Sequence, residues 1–313
     1  MTAHTAVATP SMAGLNKEKR HRLFVVLAYL VVFALIAAVT IYGFDYYTLD
    51  SAQRPFSAKH EVLKPSGSIG IKLGMLGFGM FCLIFLYPLR KKITWLQQWG
   101  TARHWLDYHI VLGISAPFII ALHSSFKFRG LAGMAFWIML SVSLSGIVGR
   151  YLYAQIHRGV SATEISLKEA REAQTQMTEQ LAQQKVISPG HLKALFKLPT
   201  EEDVTAWPTV FALIYMVILD IARPFHVARL RCRTMSGGQV ITSLGGLLPS
   251  KNVRLEQVIA LAREQASLSK RLVFLSRSQQ VFHLWHVVHK PFSYSFAVLA
   301  IVHIVVVMML GFM

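Results

Sequence analysis

Long apolar runs alternate with short polar or basic stretches along this 313-residue chain. An α-helix needs roughly 20 mostly apolar residues to cross the hydrocarbon core of a bilayer. The pattern therefore predicts an all-α integral membrane protein whose helices form a bundle. Runs of this length occupy residues 23–44, 69–89, 104–124, 131–153 and 284–313.

A sixth apolar segment, residues 207–225, is ambiguous. It has the length of a short span, but it contains Asp220 and is followed by Arg223. Residues 223–282 hold ten Lys and Arg against two Glu, and basic loops stay on the cytoplasmic side. We therefore expect 207–225 to be an interfacial or re-entrant helix, which gives five transmembrane helices, with six as the alternative.

The basic residues also predict the organisation of the chain. They gather at the ends of the apolar runs, as cytoplasmic flanks of spans do. We expect a multi-pass protein of the cytoplasmic (inner) membrane with its N-terminus inside. The expected parts are an N-terminal tail (1–22), four transmembrane helices (23–154), a mostly helical, basic cytoplasmic insertion (155–282) and a last transmembrane helix (283–313).

Charge and cysteine content exclude several classes of protein. The net charge is +17, from 32 Lys and Arg against 15 Asp and Glu. No groove-reading motif accompanies this charge, so we expect membrane lipid and not nucleic acid to be the partner. The two cysteines form neither CxxC nor CxxCH, which argues against iron–sulfur clusters and covalently attached haem.

Two pairs of histidines inside apolar runs carry the candidate chemistry. His109 and His123 lie in one run, and His289 and His303 lie in another. An ionisable residue within a span marks a functional site by default. A spacing of 14 residues is nearly four helical turns, so each pair shares a face and stands roughly 21 Å apart. Two such helices placed face to face would hold two haem b groups, with one imidazole on either side of each iron.

Other residues refine this hypothesis. His104, His283 and His286 do not share a face with the histidines at the far ends of their spans, so we interpret them as interface residues and as second-choice ligands. Gly113 lies between His109 and His123, where a small residue leaves room for a flat macrocycle. Arg150 is a candidate partner for a haem propionate at the cytoplasmic face.

Nucleotide-binding motifs are absent from the sequence, because the glycines near 237 and 245 lack the residues of a phosphate-binding loop. Electrons must then come from a separate cytoplasmic ferredoxin or flavoprotein and leave to an outer-side acceptor. The alternative from another class is a haem-free membrane assembly or transport subunit.

Several motifs resemble the ferric-reductase-like transmembrane family of bacterial di-haem cytochromes. They are LYPLRKK (86–92), FKFRGLAG (126–133), SGIVGRYLY (145–153) and HLWHVVHKPF (283–292) leading to His303. The resemblance implies electron transfer across the membrane through parallel ligand helices. It would pair His109 with His289 near the cytoplasm and His123 with His303 near the outer side. The chain departs from that family in lacking a flavin and nicotinamide module and in carrying the insertion 155–282.

Overall fold

The structure, a computed structural model, describes residues 12–160, 167–183, 198–234, 246–250 and 252–311. These residues form two compact units. The first comprises Met1–Ile147 with Val288–Met313, and the second comprises Val148–Val287. Parts of the predicted insertion 155–282, and the first eleven residues of the predicted tail, lie outside the described residues.

Every regular element in the described part of the chain is helical, as predicted. The α-helices are α1 (Met12–Tyr42), α2 (Phe44–Thr48), α3 (His60–Leu63), α4 (Ser68–Arg90), α5 (Thr94–Gln97), α6 (Ala102–His123), α7 (Gly130–Val160), α8 (Leu167–Gln183), α9 (Glu201–Ala206), α10 (Thr209–Thr234) and α11 (Val253–Met309). A 3₁₀ turn, Arg54–Phe56, precedes α3. Helix α1 begins at Met12, so the described half of the predicted N-terminal tail (1–22) is helical.

The last helix differs most from its prediction. We expected the mostly helical insertion to end at residue 282 and a separate last span to follow it, whereas α11 is one helix of 57 residues. No glycine or proline interrupts residues 253–290, so nothing in that stretch ends the helix. A helix of this length measures roughly 85 Å, far more than a bilayer core. Residues 291–309 carry no charged side chain, which makes the C-terminal part of α11 its apolar end.

Six helices in the described residues are long and apolar enough to cross a membrane. They include Thr209–Cys232 within α10, so the ambiguous segment also meets this criterion. Large apolar side chains such as Phe33 and Met309 are exposed, which is consistent with contact to lipid. The chain thus has the helices of a multi-pass membrane protein.

In the first unit, α4 and α6 pack closely because glycines on α4 face α6. A side chain at Gly77 would overlap Ile120, and one at Gly74 would overlap His123. Small residues let transmembrane helices approach in this way. The core of the unit is apolar and includes Leu73, Met80, Ala116, Ile119, Leu122, Phe136 and Met139.

The second unit has its own core around Leu152, Met216 and Phe274. A buried polar network lies within the same unit. The Lys270 ammonium contacts both carboxylate oxygens of Asp220, at 2.5 and 2.6 Å. That carboxylate also accepts hydrogen bonds from the Tyr151 hydroxyl and from the Gln155 amide. Three helices, α7, α10 and α11, are therefore joined by one carboxylate.

Candidate functional site

All four predicted ligand histidines belong to the first unit. His109 and His123 lie on α6, and His289 and His303 lie on the apolar end of α11. Each ring is partly buried. On α11 the partly buried positions recur every three or four residues, which is the repeat of one helix face. These positions include 289, 293, 296, 300, 303 and 307.

Both histidines of α6 are tied to backbone carbonyls of α4. Nδ1 of His109 is 3.0 Å from the carbonyl oxygen of Ile84, and Nδ1 of His123 is 2.8 Å from that of Gly70. The two contacts are 14 residues apart on each helix and run in opposite directions, as antiparallel packing requires. His109 and His123 therefore share the face of α6 that contacts α4.

Pro88 explains why the Ile84 carbonyl is available to His109. In an α-helix the carbonyl of residue 84 would accept from the amide of residue 88, but proline has no N–H. Pro117 has the same effect on the carbonyl of Gly113, which accepts a hydrogen bond of 2.8 Å from the Ser143 hydroxyl. Each proline thus leaves a carbonyl oxygen that forms a hydrogen bond with a side chain of another helix.

These contacts fix the protonation of the neutral rings. A carbonyl oxygen only accepts, so Nδ1 carries the proton in His109 and His123. The Ser145 hydroxyl donates to the Val142 carbonyl, and its oxygen lies 2.7 Å from Nδ1 of His289, which must then donate to it. In all three rings the lone pair is on Nε2. Tethering one ring nitrogen in this way orients the other for a metal.

The residues around the fourth histidine, His303, indicate its position. It is partly buried and lies near enough to His123 for charges on the two rings to interact. Phe296, midway between His289 and His303, packs on the core of the first unit and contacts Phe81. The apolar end of α11 therefore presents His303 to the same end of α6 that carries His123.

The position of Gly113, near the middle of α6, is loosely packed. A Cβ atom built at Gly113 would meet no atom within 4 Å, in contrast to the tightly packed Gly74 and Gly77. Within the described residues, no three His, Cys, Asp or Glu side chains converge where they could hold one metal ion. The donors present, imidazole Nε2 atoms in separated pairs, fit the axial ligation of haem iron.

The remaining predicted residues lie elsewhere. Arg150 is partly buried on α7 in the second unit, and its role at a propionate stays a prediction. The His104 ring stacks on His21 at 3.6 Å. Nδ1 of His286 is 2.9 Å from the Phe282 carbonyl in its own helix, and His283 is exposed.

The His123 ring packs directly against Gly74, and this contact gives a first prediction. An alanine Cβ there would lie 2.7 Å from Cε1 and 2.9 Å from Nδ1, and the ring cannot move without losing its bond to Gly70. We expect Gly74→Ala to lower the free energy of unfolding by about 1–3 kcal/mol, the usual cost of overpacking. Thermal unfolding in mild detergent measures this loss of stability.

The matched control for Gly74→Ala is Gly79→Ala in the same helix. A Cβ at Gly79 meets nothing within 4 Å. Alanine is the better helix former, so this variant should be as stable as the wild type or slightly more stable. Equal stability of the two variants would contradict the close packing of His123 on Gly74.

A cap of loops covers the end of α6 that carries His123. We use "cap" for residues 43–63 and 124–129. Ser125 is fully buried, and both Ser125 and Phe126 have left-handed backbone, with φ of 48° and 59°. Such conformations are costly for residues other than glycine and persist only where neighbours hold them. The Ser125 hydroxyl donates to the Leu63 carbonyl at 2.7 Å, and the Arg54 guanidinium donates to the Ser125 carbonyl.

Arg54 and Tyr47 are functional candidates that the sequence did not reveal. Arg54 is only 8% exposed, and it also donates to the carbonyls of Leu49 and Tyr47. The buried Tyr47 hydroxyl has no hydrogen-bond partner among the residues that the structure describes. Burial raises the pKa of Tyr47 to about 12, against the opposing effect of Arg54. Tyr47 is therefore a neutral hydroxyl at physiological pH.

Comparison of the chain with protein-family models, with curated proteins and with solved structures returns no match. The resemblance to ferric-reductase-like di-haem cytochromes therefore stays a prediction that depends on the motifs and the histidine spacing. What the chain is shown to be is an all-helical, multi-pass membrane protein with two spaced pairs of partly buried histidines.

Proposed function

We propose that the protein is a di-haem cytochrome b subunit that carries electrons across the membrane. The observation that carries the proposal is the matched pair of histidines on α6 and on α11, with Nδ1 donating a hydrogen bond in three of the four rings. His109 and His289 would bind one haem near the cytoplasm. His123 and His303 would bind a second haem near the outer side.

The side chains and helices of this chain would bind and orient the two groups. Nε2 of each histidine would bind the iron, and in His109, His123 and His289 the tether on Nδ1 keeps the ring from rotating out of place. The apolar cluster that includes Ile119, Leu122 and Phe296 would keep water away from the bound groups. A bis-histidine haem supplies reversible one-electron chemistry when bound.

The proximity of His123 and His303 supports parallel ligand helices. Parallel α6 and α11 both enter the membrane from the same side, because α7 returns the chain to the side where α6 began. Parallel α6 and α11 therefore support five membrane crossings, with α10 lying at the cytoplasmic interface and not crossing the membrane. The basic cytoplasmic surface would suit docking of an acidic ferredoxin or flavoprotein, and the outer haem would deliver its electron to an outer-side acceptor.

Haem content tests the proposal directly. We expect a pyridine haemochrome assay on purified protein to give two haem b per chain, and dithionite to produce b-type bands in a reduced-minus-oxidised spectrum. NADH and NADPH alone should leave those bands unchanged, because the sequence encodes no nucleotide site. A correctly inserted, monodisperse protein without b-type bands would refute the proposal and favour the haem-free subunit.

A further inference from the structure

The cap holds a buried positive charge without a counter-charge. Arg54 is 8% exposed, and its guanidinium donates to the backbone carbonyls of Leu49, Tyr47 and Ser125. A guanidinium has five N–H donors, so these three bonds leave two donors, and the charge has only the Tyr46 ring, 5.8 Å from Cζ, beside it. Burial of a cation without an anion is costly and calls for a functional explanation.

The acidic side chains of the cap have other partners, and Asp50 accepts a hydrogen bond from the Ser51 amide. Asp45 pairs with Lys59 at 2.6 Å, and Glu61 pairs with Lys64 at the same distance. Within the described residues no carboxylate lies at ion-pair distance from Arg54. The charge of Arg54 therefore acts on its surroundings through a dry, weakly polarisable interior, where electrostatic effects are largest.

The charge lies beside one histidine pair and not the other. Ser125, whose carbonyl accepts from Arg54, is two residues beyond His123 in a tight turn. Basic residues also lie near the other pair. Lys91, which follows the end of α4 near His109, and Lys290, the neighbour of His289, are both exposed. Arg90, the last residue of α4, is partly buried and donates to the carbonyls of Gln97 and Gly100.

We propose that Arg54 raises the midpoint potential of the haem held by His123 and His303. This inference rests on the proposed function. A fixed positive charge stabilises the reduced, ferrous form, because reduction adds one negative charge beside it. With haem bound at both sites, a higher outer potential would favour transfer of one electron from the inner haem to the outer one, with no bond broken and no proton moved.

Potentiometric titration of Arg54→Gln tests the inference. The haem whose bands disappear in His123→Ala identifies the outer site in the titration. We expect Arg54→Gln to move the outer midpoint potential downward and to change the inner one much less. Arg54→Lys, which keeps the charge, should stay close to the wild type. The matched control Lys91→Gln removes an exposed charge near His109 and should leave the outer potential unchanged.

A second pair of variants keeps the inference testable if Arg54→Gln does not fold. Phe126 is 46% exposed in the cap and has the left-handed backbone that Asn and Asp tolerate. Phe126→Asp and Phe126→Asn differ only in charge, and the Asp variant should have the lower outer potential. Unchanged outer potentials in whichever pair folds would overturn the role of Arg54 alone. Absence of haem from the wild type would instead overturn the proposed function and this inference with it.

Discussion

Replacing His123 with alanine is expected to reduce the haem content from two to one per chain. The substitution removes an iron ligand together with the tether to Gly70. A haem held by one remaining imidazole loses its low-spin ligation and is readily released. His109→Ala should likewise leave one haem, at the other site. Pyridine haemochrome assays give the count, and redox titration shows which haem remains.

Double variants determine the pairing of the ligands. If His123 and His303 hold the same haem, the double alanine variant at these positions should still bind one haem per chain. The double variant at His123 and His289 should then bind none. Antiparallel ligand helices would exchange the two results. The stoichiometry therefore separates the five-crossing topology from a six-crossing one without any direct mapping of loops.

The control for the ligand variants is His104→Ala. Its ring stacks on His21 and lies 3.5 Å from Glu18, so it already has partners within the first unit. Two haems should remain. If every histidine variant kept two haems, the assignment of His109, His123, His289 and His303 as ligands would be wrong.

Much of the fold follows from the apolar pattern, because a span must satisfy its own backbone hydrogen bonds and does so as a helix. The observed α4, Ser68–Arg90, and α6, Ala102–His123, lie within two residues of the predicted spans. The extent of α11 was missed because the change from charged to apolar composition near residue 284 was interpreted as a boundary. Composition determines which part of a helix lies in lipid. The helix itself ends only where a helix-breaking residue, such as glycine or proline, interrupts it.

The sequence also contains a signal for two of the observed side-chain hydrogen bonds. A proline inside a span leaves the carbonyl four residues earlier without its amide donor. Applied to Pro88 and Pro117, this rule points to the carbonyls of Ile84 and Gly113, and both accept side-chain hydrogen bonds in the structure. The rule could have linked His109 to α4 before any coordinates existed.

Arg54 could not have been recognised from the sequence. It lies in a polar stretch with Asp50 and Lys59, which reads as an exposed loop. Its burial depends on Ser125, 71 residues away, whose carbonyl meets the guanidinium only after the cap has folded. The same holds for Asp220 and Lys270, since 50 residues separate two side chains that become one ion pair.

The Asp220–Lys270 pair should dominate the stability of the second unit. Lys270 is 1% exposed, and its ammonium is held by both oxygens of Asp220. Lys270→Met removes the cation and leaves a carboxylate that Tyr151 and Gln155 only partly satisfy. Breaking one partner of a buried pair typically costs about 3–5 kcal/mol. We expect a loss toward the lower end, because Arg223 lies 3.6 Å from the same carboxylate.

Neutralising both partners should recover most of that loss. In the double variant Asp220→Asn with Lys270→Met, no charge stays buried, and the amide can still accept from Tyr151. The exposed pair Arg22–Glu18 supplies the control, since Arg22 is 70% exposed and Glu18→Gln should cost no more than about 1 kcal/mol. Denaturant unfolding in mild micelles, followed by circular dichroism, gives all three free energies. Equal losses of unfolding free energy for Lys270→Met and Glu18→Gln would show that the buried pair contributes no more to stability than an exposed one. The Asp220 carboxylate would then be fully solvated without Lys270.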